Sequence, residues 1–251
     1  MLNRNELVRY GPPGFHDAQK EKDYAQHWML SFLSRAGFGA VFKGGTALQK
    51  VYGLPRYSED LDFTLNDATE PDYEALAAFL DSGGFSGLNW KKETDERAVK
   101  ARLRFRGPLY NGSAISEGVI RLKMSRREKT ILEPAVAMIT PPYPDLLPYQ
   151  FRVMDKNEMA TEKVRAIMTR TSARDLFDLY FLFHQKAGLK MDVVTAKLGY
   201  YGLSFDYRTF EKKVEELKAV WKKEMTALTS NPVEYETAAK AALAAVKKDL
   251  S

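Results

Sequence analysis

Two short stretches hold the residues whose types and spacing could do chemistry. Phe42-Lys43-Gly44-Gly45-Thr46-Ala47-Leu48 sets two glycines and a hydroxyl directly after the apolar residues Ala40, Val41 and Phe42. Glycines at a strand end let backbone N–H groups approach a polyphosphate closely, and Thr46 at the following helix start adds a hydroxyl where the helix dipole favours an anion. Arg56-Tyr57-Ser58-Glu59-Asp60-Leu61-Asp62-Phe63 follows, after a helix-compatible stretch that runs to Gly53. Side chains alternate across a strand, so Asp60 and Asp62 share one face, and Leu61, Phe63 and Leu65 the other. Two carboxylates on one face near a phosphate-gripping turn suit a hard cation such as Mg²⁺ that also binds phosphates. Taken singly, a Gly-Gly turn is usually a tight connection and Asp-x-Asp a solvated strand start. The order of strand, turn, short helix and strand is what points to a nucleotide site.

The elements that must position these residues show in the hydropathy pattern. From Asp17 to Ala36 the residues Ala25, Trp28, Met29, Phe32, Leu33 and Ala36 follow three-four spacing, which predicts an amphipathic helix with Asp17 as N-cap and Gly37 as stop. Pro71 opens a helix through Ala75, Leu76 and Phe79 that Gly83-Gly84 ends. Val99, Ala101, Leu103 and Phe105 alternate with Lys100, Arg102, Arg104 and Arg106, and Ile120, Leu122 and Met124 with Arg121 and Lys123. That predicts two half-buried strands, each with a basic face. Such charges can serve only to keep a sheet soluble; on the face that carries Asp60 and Asp62 they could hold triphosphate or a nucleic-acid backbone.

Pro134, Pro141, Pro142, Pro144 and Pro148 predict an irregular connection and a subdomain boundary near residues 131–152. Beyond it the chain reads as helical. Asn157 caps a helix that carries Ala160, Val164, Ile167 and Met168 inward, and Ser172 caps another, with Leu176, Leu179, Tyr180 and Phe183, that ends at Gly188. A helix near Asp192–Leu198, a long one over Tyr207–Leu228 and an Ala/Lys-rich one after Pro232 complete the bundle. The expected division is 1–150, an N-terminal helix with an α/β core, and 151–251, a helical subdomain.

Lys43-Gly44-Gly45-Thr46-Ala47-Leu48, then Tyr52-Gly53-Leu54, then Arg56-x-Ser58-x-Asp60-x-Asp62-Phe63, resembles the AbiEii/AbiGii nucleotidyltransferase toxin family, which includes the MenT toxins and is similar to the DNA polymerase β-type nucleotidyltransferases. Thr161-Glu162-Lys163-Val164-Arg165-Ala166 and Arg174-Asp175-Leu176-Phe177-Asp178-Leu179 resemble the same family's C-terminal motifs, although alone they read as ordinary helix surface with an Arg174–Asp178 pair one turn apart. The resemblance spans roughly residues 36–183. It implies an α+β fold: a polymerase β-like core with a mixed sheet, followed by a C-terminal helical bundle that contributes to the active site. It also implies a toxin that uses Mg²⁺ to transfer NMP from an NTP to the 3′ end of tRNA, so blocking translation, and that is encoded beside an antitoxin. Carried over by position, Asp60 and Asp62 hold the metal. Lys43, Gly44, Gly45, Thr46 and Ser58 contact the nucleotide, Lys163 contacts its phosphates, and Asp175 is an essential acidic residue.

One departure stands out. Relatives are expected to carry an acidic residue in the strand that ends near Ser125, where this chain has Lys123. Asp175, Glu162 or Glu128 could substitute, two aspartates could suffice, or activity could be impaired. A protein side chain or small molecule as acceptor, and a catalytically impaired nucleotide- or RNA-binding module, are the competing readings.

Composition sets the outer bounds. An excess of 38 Lys and Arg over 33 Asp and Glu, with a pI near 9.1, suits an anionic partner. Without cysteine there is no disulfide framework or thiolate chemistry, and His16, His27 and His184 are too scattered for a zinc site. No apolar run reaches the ~18 residues of a membrane span, and the first ten residues lack a secretory core, so a cytoplasmic protein is expected.

Overall fold

The computed structural model describes residues 1–250, which form ten α-helices and seven strands grouped in two compact units. The first comprises Met1–Gly53, Tyr57–Lys129 and Ala135–Val153; the second comprises Leu54–Arg56, Thr130–Pro134 and the chain from Met154 on. The fold is α+β, with a mixed sheet in the first unit and helices throughout most of the second.

The sheet is built from β1 (Val41–Lys43), β2 (Asp60–Thr64), β3 (Ser86–Thr94), β4 (Ala98–Arg106), β5 (Gly118–Ser125), β6 (Ala135–Ile139) and β7 (Tyr149–Val153), in the order β3-β4-β5-β2-β1-β7-β6. β2 runs antiparallel to β1 and parallel to β5, which pairs antiparallel with β4. In this register Phe42, Phe63, Met124 and Val99 line up across four strands on the apolar face. The Phe63 ring lies 5.2 Å from that of Phe42 and 6.0 Å from that of Phe151. All three phenylalanines are buried, and removing one such ring typically costs about 3–5 kcal/mol.

The opposite face is polar for the same reason. Lys43 stands beside Asp62, Asp60 beside Arg121, Asp62 beside Lys123, and Arg121 and Lys123 beside Arg102 and Lys100. The cationic face expected from β4 and β5 is therefore the face that carries both aspartates.

Helix α1 (Arg4–Tyr10) has Asn3 and Glu6 capping each other, a signal the sequence reading passed over. Helix α2 (Asp17–Arg35) is capped one residue earlier than expected: His16, not Asp17, is the N-cap, and its N–H donates to Gln19 Oε1 at 3.0 Å. Between β1 and β2 comes α3 (Gly44–Tyr52). Helix α4 (Tyr73–Ser82) is capped by Asp72, which accepts from the Glu74 and Ala75 N–H groups, so Pro71 lies outside its first turn.

The irregular connection expected over the proline-rich stretch is confined to residues 140–148, between β6 and β7. Pro134 precedes β6 and the other four prolines lie between β6 and β7, so no proline has to donate to the β6–β7 ladder. Tyr149, Phe151 and Val153 alternate into the core. Nor was β3 expected; it is a mostly exposed edge strand with lysines on both faces, which hides its period.

The second unit contains α5 (Lys156–Thr169), α6 (Ala173–His184), α7 (Met191–Gly199), α8 (Tyr207–Glu216), α9 (Lys218–Leu228) and α10 (Tyr235–Leu250). Asp155, not Asn157, caps α5, and α6 follows its expected cap Ser172 but stops at His184, before Gly188. The long helix over Tyr207–Leu228 is two helices. Buried Leu217 donates to Val214 O and accepts from Val220 N, three-residue bonds that tighten the chain between α8 and α9. Among the described residues no helix is long and apolar enough to cross a membrane.

Candidate active site

On the sheet unit the two sequence motifs meet. Gly44 has φ +74°, a conformation that disfavours side chains, and a Cβ placed on it would lie 2.6 Å from Asp62 Oδ2. Glycine thus lets the start of α3 press against the Asp62 carboxylate. Thr46 is fully buried; its hydroxyl donates to the Asp60 carbonyl at 2.5 Å and lies 2.9 Å from Ser58 Oγ. Gln49 Oε1 accepts the Ser58 N–H at 3.1 Å. These contacts tie the first turns of α3 to the strand that bears the aspartates, so the glycine turn, Thr46, Ser58, Asp60 and Asp62 form one constellation. Lys43 is nearly buried, and its Nζ lies 3.7 Å from Glu128 Oε2.

Lys123, which stands where an acidic residue is expected, lies beside Asp62 in the β2–β5 register and makes a contact that was not foreseen. Its Nζ lies 2.5 Å from Asp60 Oδ2. The other oxygen, Asp60 Oδ1, is buried without a hydrogen bond and has Arg121 Nη1 3.8 Å away. Period-two alternation in two adjacent strands predicts such a contact once their pairing is known; the sequence does not state that β2 and β5 are neighbours. Among the described residues no three His, Cys, Asp or Glu side chains are spaced to hold a metal ion. The fit to a cation is therefore through Asp60 and Asp62 alone, in the manner of Mg²⁺, which takes one or two carboxylates and completes its shell with phosphates and water. Asp60 Oδ1, buried without a hydrogen bond, and Asp62, leaning on the glycine turn, are compatible with that set.

The C-terminal motif residues build a different arrangement within the helical unit. Asp178 is fully buried and accepts two bonds from Arg56, from Nε at 2.6 Å and from Nη2 at 2.7 Å. Lys163 Nζ lies 2.6 Å from Asp178 Oδ2 and 3.0 Å from Asp175 Oδ1. Arg170 holds Asp175 through both of that residue's oxygens, at 2.7 and 2.9 Å. Burial pushes both carboxyls up, but Lys163 and Arg170 on Asp175, and Arg56 and Lys163 on Asp178, outweigh it and hold them below the usual carboxylate range. The expected surface pair of Arg174 and Asp178 gives way to this buried chain of alternating charge. Beside it, wholly buried Lys197 bridges Glu158 at 2.8 Å and Glu162 at 3.0 Å, and Glu158 also accepts the Ile131 and Leu132 N–H groups. Of the carboxylates considered as replacements at position 123, Glu162 and Asp175 are thus engaged in the helical unit, and Glu128 is paired with Lys43.

The family model described as the nucleotidyl transferase AbiEii toxin of type IV toxin–antitoxin systems matches residues 32–245. The chain belongs to the AbiEii toxin family. Membership makes it a nucleotidyltransferase-family protein and a toxin-family member. Two solved structures share the AbiEii chain's fold. MenT4, a nucleotidyltransferase toxin from Mycobacterium tuberculosis H37Rv, superposes with a TM-score of 0.64 at 24% identity over 100% of this chain and 91% of its own. JHP933 from Helicobacter pylori superposes with a TM-score of 0.60 at 24% identity over 90% of this chain and 89% of its own. No curated protein matched the chain.

Proposed function

We propose that this AbiEii-family protein transfers NMP from an NTP to the 3′ end of tRNA with the help of Mg²⁺, and so blocks translation. The observation that carries this reading is the convergence of the Gly44 turn, Asp60 and Asp62 on one cationic sheet face. The first backbone N–H groups of α3 and the Lys43 ammonium receive the triphosphate. Asp60 and Asp62 hold the cation, which when bound polarises the phosphates and orients them. The acceptor hydroxyl oxygen forms a bond to the α-phosphorus and gives up its proton to water, as the bond from the α-phosphorus to the α,β-bridging oxygen breaks and pyrophosphate leaves. The rate gain comes from positioning and fixed charge. We assign Lys163 to the nucleotide's phosphates and Asp175 to positioning Lys163, because both oxygens of Asp175 are already taken by cations.

The acceptor assignment is supported by Lys100, Arg102 and Arg121, exposed on the face that bears the aspartates. A polyanion would bind there with strong salt dependence, and a small-molecule acceptor would not. An antitoxin encoded nearby is the expected regulatory partner. The test is incubation with Mg²⁺, total tRNA and each NTP labelled on the α-phosphate, with Asp62→Asn in parallel. Label on tRNA that is lost in the variant is the expected result. Label on protein alone would replace the acceptor, and NTP binding without label on any acceptor would favour the non-catalytic module that the Lys123–Asp60 contact makes conceivable.

A further inference from the structure

We propose that Lys123 is a built-in counter-ion that keeps free divalent metal off the Asp60–Asp62 pair, so that the metal enters only with its nucleotide. The inference rests on the reading above that these aspartates hold the metal. β2 and β5 are parallel and in register, so Lys123 is the direct neighbour of Asp62 and Arg121 that of Asp60. Lys123 reaches back along the strand to place Nζ 2.5 Å from Asp60 Oδ2, and Arg121 Nη1 stands 3.8 Å from Oδ1. Both oxygens of Asp60 therefore face a cation held on a rigid strand.

A bare metal ion that claims Asp60 must break the Lys123 contact and leave an ammonium beside a dication, which is repulsive at such range. A metal–nucleotide complex brings its own anions. As the metal takes Asp60, a phosphate oxygen receives Lys123, and the ammonium changes partner without being stranded. The Lys123 side chain is 43% exposed and Asp60's is 15%, so the lysine has room to swing and the carboxylate does not. A carboxylate at position 123 would have the reverse effect: it would add a third ligand and bind metal ahead of nucleotide. Lysine at this position exchanges a preloaded metal site for one that nucleotide switches on.

The test is Mn²⁺ binding by electron paramagnetic resonance, first alone and then with an NTP carrying a non-transferable α,β-methylene bridge. Wild type and Lys123→Arg are expected to bind free Mn²⁺ weakly and to gain at least about tenfold in affinity when the analogue is present. Lys123→Met and Lys123→Gln are expected to bind free Mn²⁺ about tenfold more tightly than wild type and to lose most of the gain from nucleotide. Thermal melts confirm that each variant is folded, and two neutral replacements guard against one that fails to fold. If neither neutral variant binds free Mn²⁺ more tightly than wild type, while all still bind the Mn²⁺–nucleotide complex, the counter-ion role is overturned and the metal site stands. If Asp60→Ala binds the complex as well as wild type does, the metal assignment itself fails.

Discussion

The sheet unit and the helical unit use the same residue types, aspartate beside lysine and arginine, in opposite ways. In the helical unit Asp175 and Asp178 are fully buried, and each is held by two cations within 3.0 Å. On the sheet Asp60 has one close cation, a second at 3.8 Å, and one buried oxygen without a hydrogen bond. A buried carboxylate with all its partners in place stabilises by being satisfied and has little capacity left for a ligand. A carboxylate at the rim, with an exposed and movable counter-ion, can change partners. Motif membership therefore does not assign one kind of role: we propose that the sheet aspartates bind the metal, whereas Asp178 holds Arg56 and Lys163.

That contrast can be broken by substitution. Asp178→Ala takes two hydrogen bonds from the buried Arg56 guanidinium and one close contact from Lys163, and truncating one member of a buried pair costs about 3–5 kcal/mol. Denaturant unfolding should show a loss of that size, against less than about 1 kcal/mol for Asp60→Ala, whose partner Lys123 can turn to water. Equal losses would erase the distinction.

Acid titration sharpens it further. His27 is buried in the sheet unit with Nδ1 2.7 Å from the Tyr149 hydroxyl and Nε2 3.7 Å from Asp23. Burial first, and then the Lys50 charge, outweigh the pull of Asp23 and lower its pKa from 6.5 to about 3. The unfolded chain binds this proton more readily, so the stability His27 contributes is present above pH 6.5 and is lost as pH falls toward 3. The loss is about 2 kcal/mol at pH 5. Asp175 and Asp178 have depressed values, so their contribution is intact above the ordinary 3.8 and falls only below it. Amide exchange between pH 7 and 5 should thus loosen the sheet unit before the helical unit, and His27→Gln should flatten the trend.

The smallest effect concerns the exposed cations. Arg102→Ala should weaken tRNA binding a few-fold and lower the salt slope by about one, with no change in unfolding. A change in stability would mean that the residue is structural.

Much of this contrast was legible in the sequence, and the rest was not for identifiable reasons. Alternation put Asp60 and Asp62 on one face and Lys123 on a basic face, because a period of two is local information. That the two faces are one, and that Lys123 touches Asp60, depends on β2 pairing with β5, whose sequences are some sixty residues apart. The β6–β7 hairpin was hidden because its prolines, which flank the strands, outweighed the short Tyr149-Phe151-Val153 alternation. Arg174 looked like the partner of Asp178 because an i,i+4 pair is visible in sequence, whereas Arg56, more than a hundred residues away, is not.

The central claim is that Asp60 serves ligand chemistry and not the fold. It is tested most directly by single-turnover transfer from α-labelled NTP to tRNA with wild type and Asp60→Asn, in parallel with their thermal melts. Asparagine keeps the shape and removes the charge. The expected result is a loss of at least about 10³-fold in transfer with the melting temperature unchanged. Transfer within a few-fold of wild type, or a variant that loses activity only as it unfolds, would contradict it.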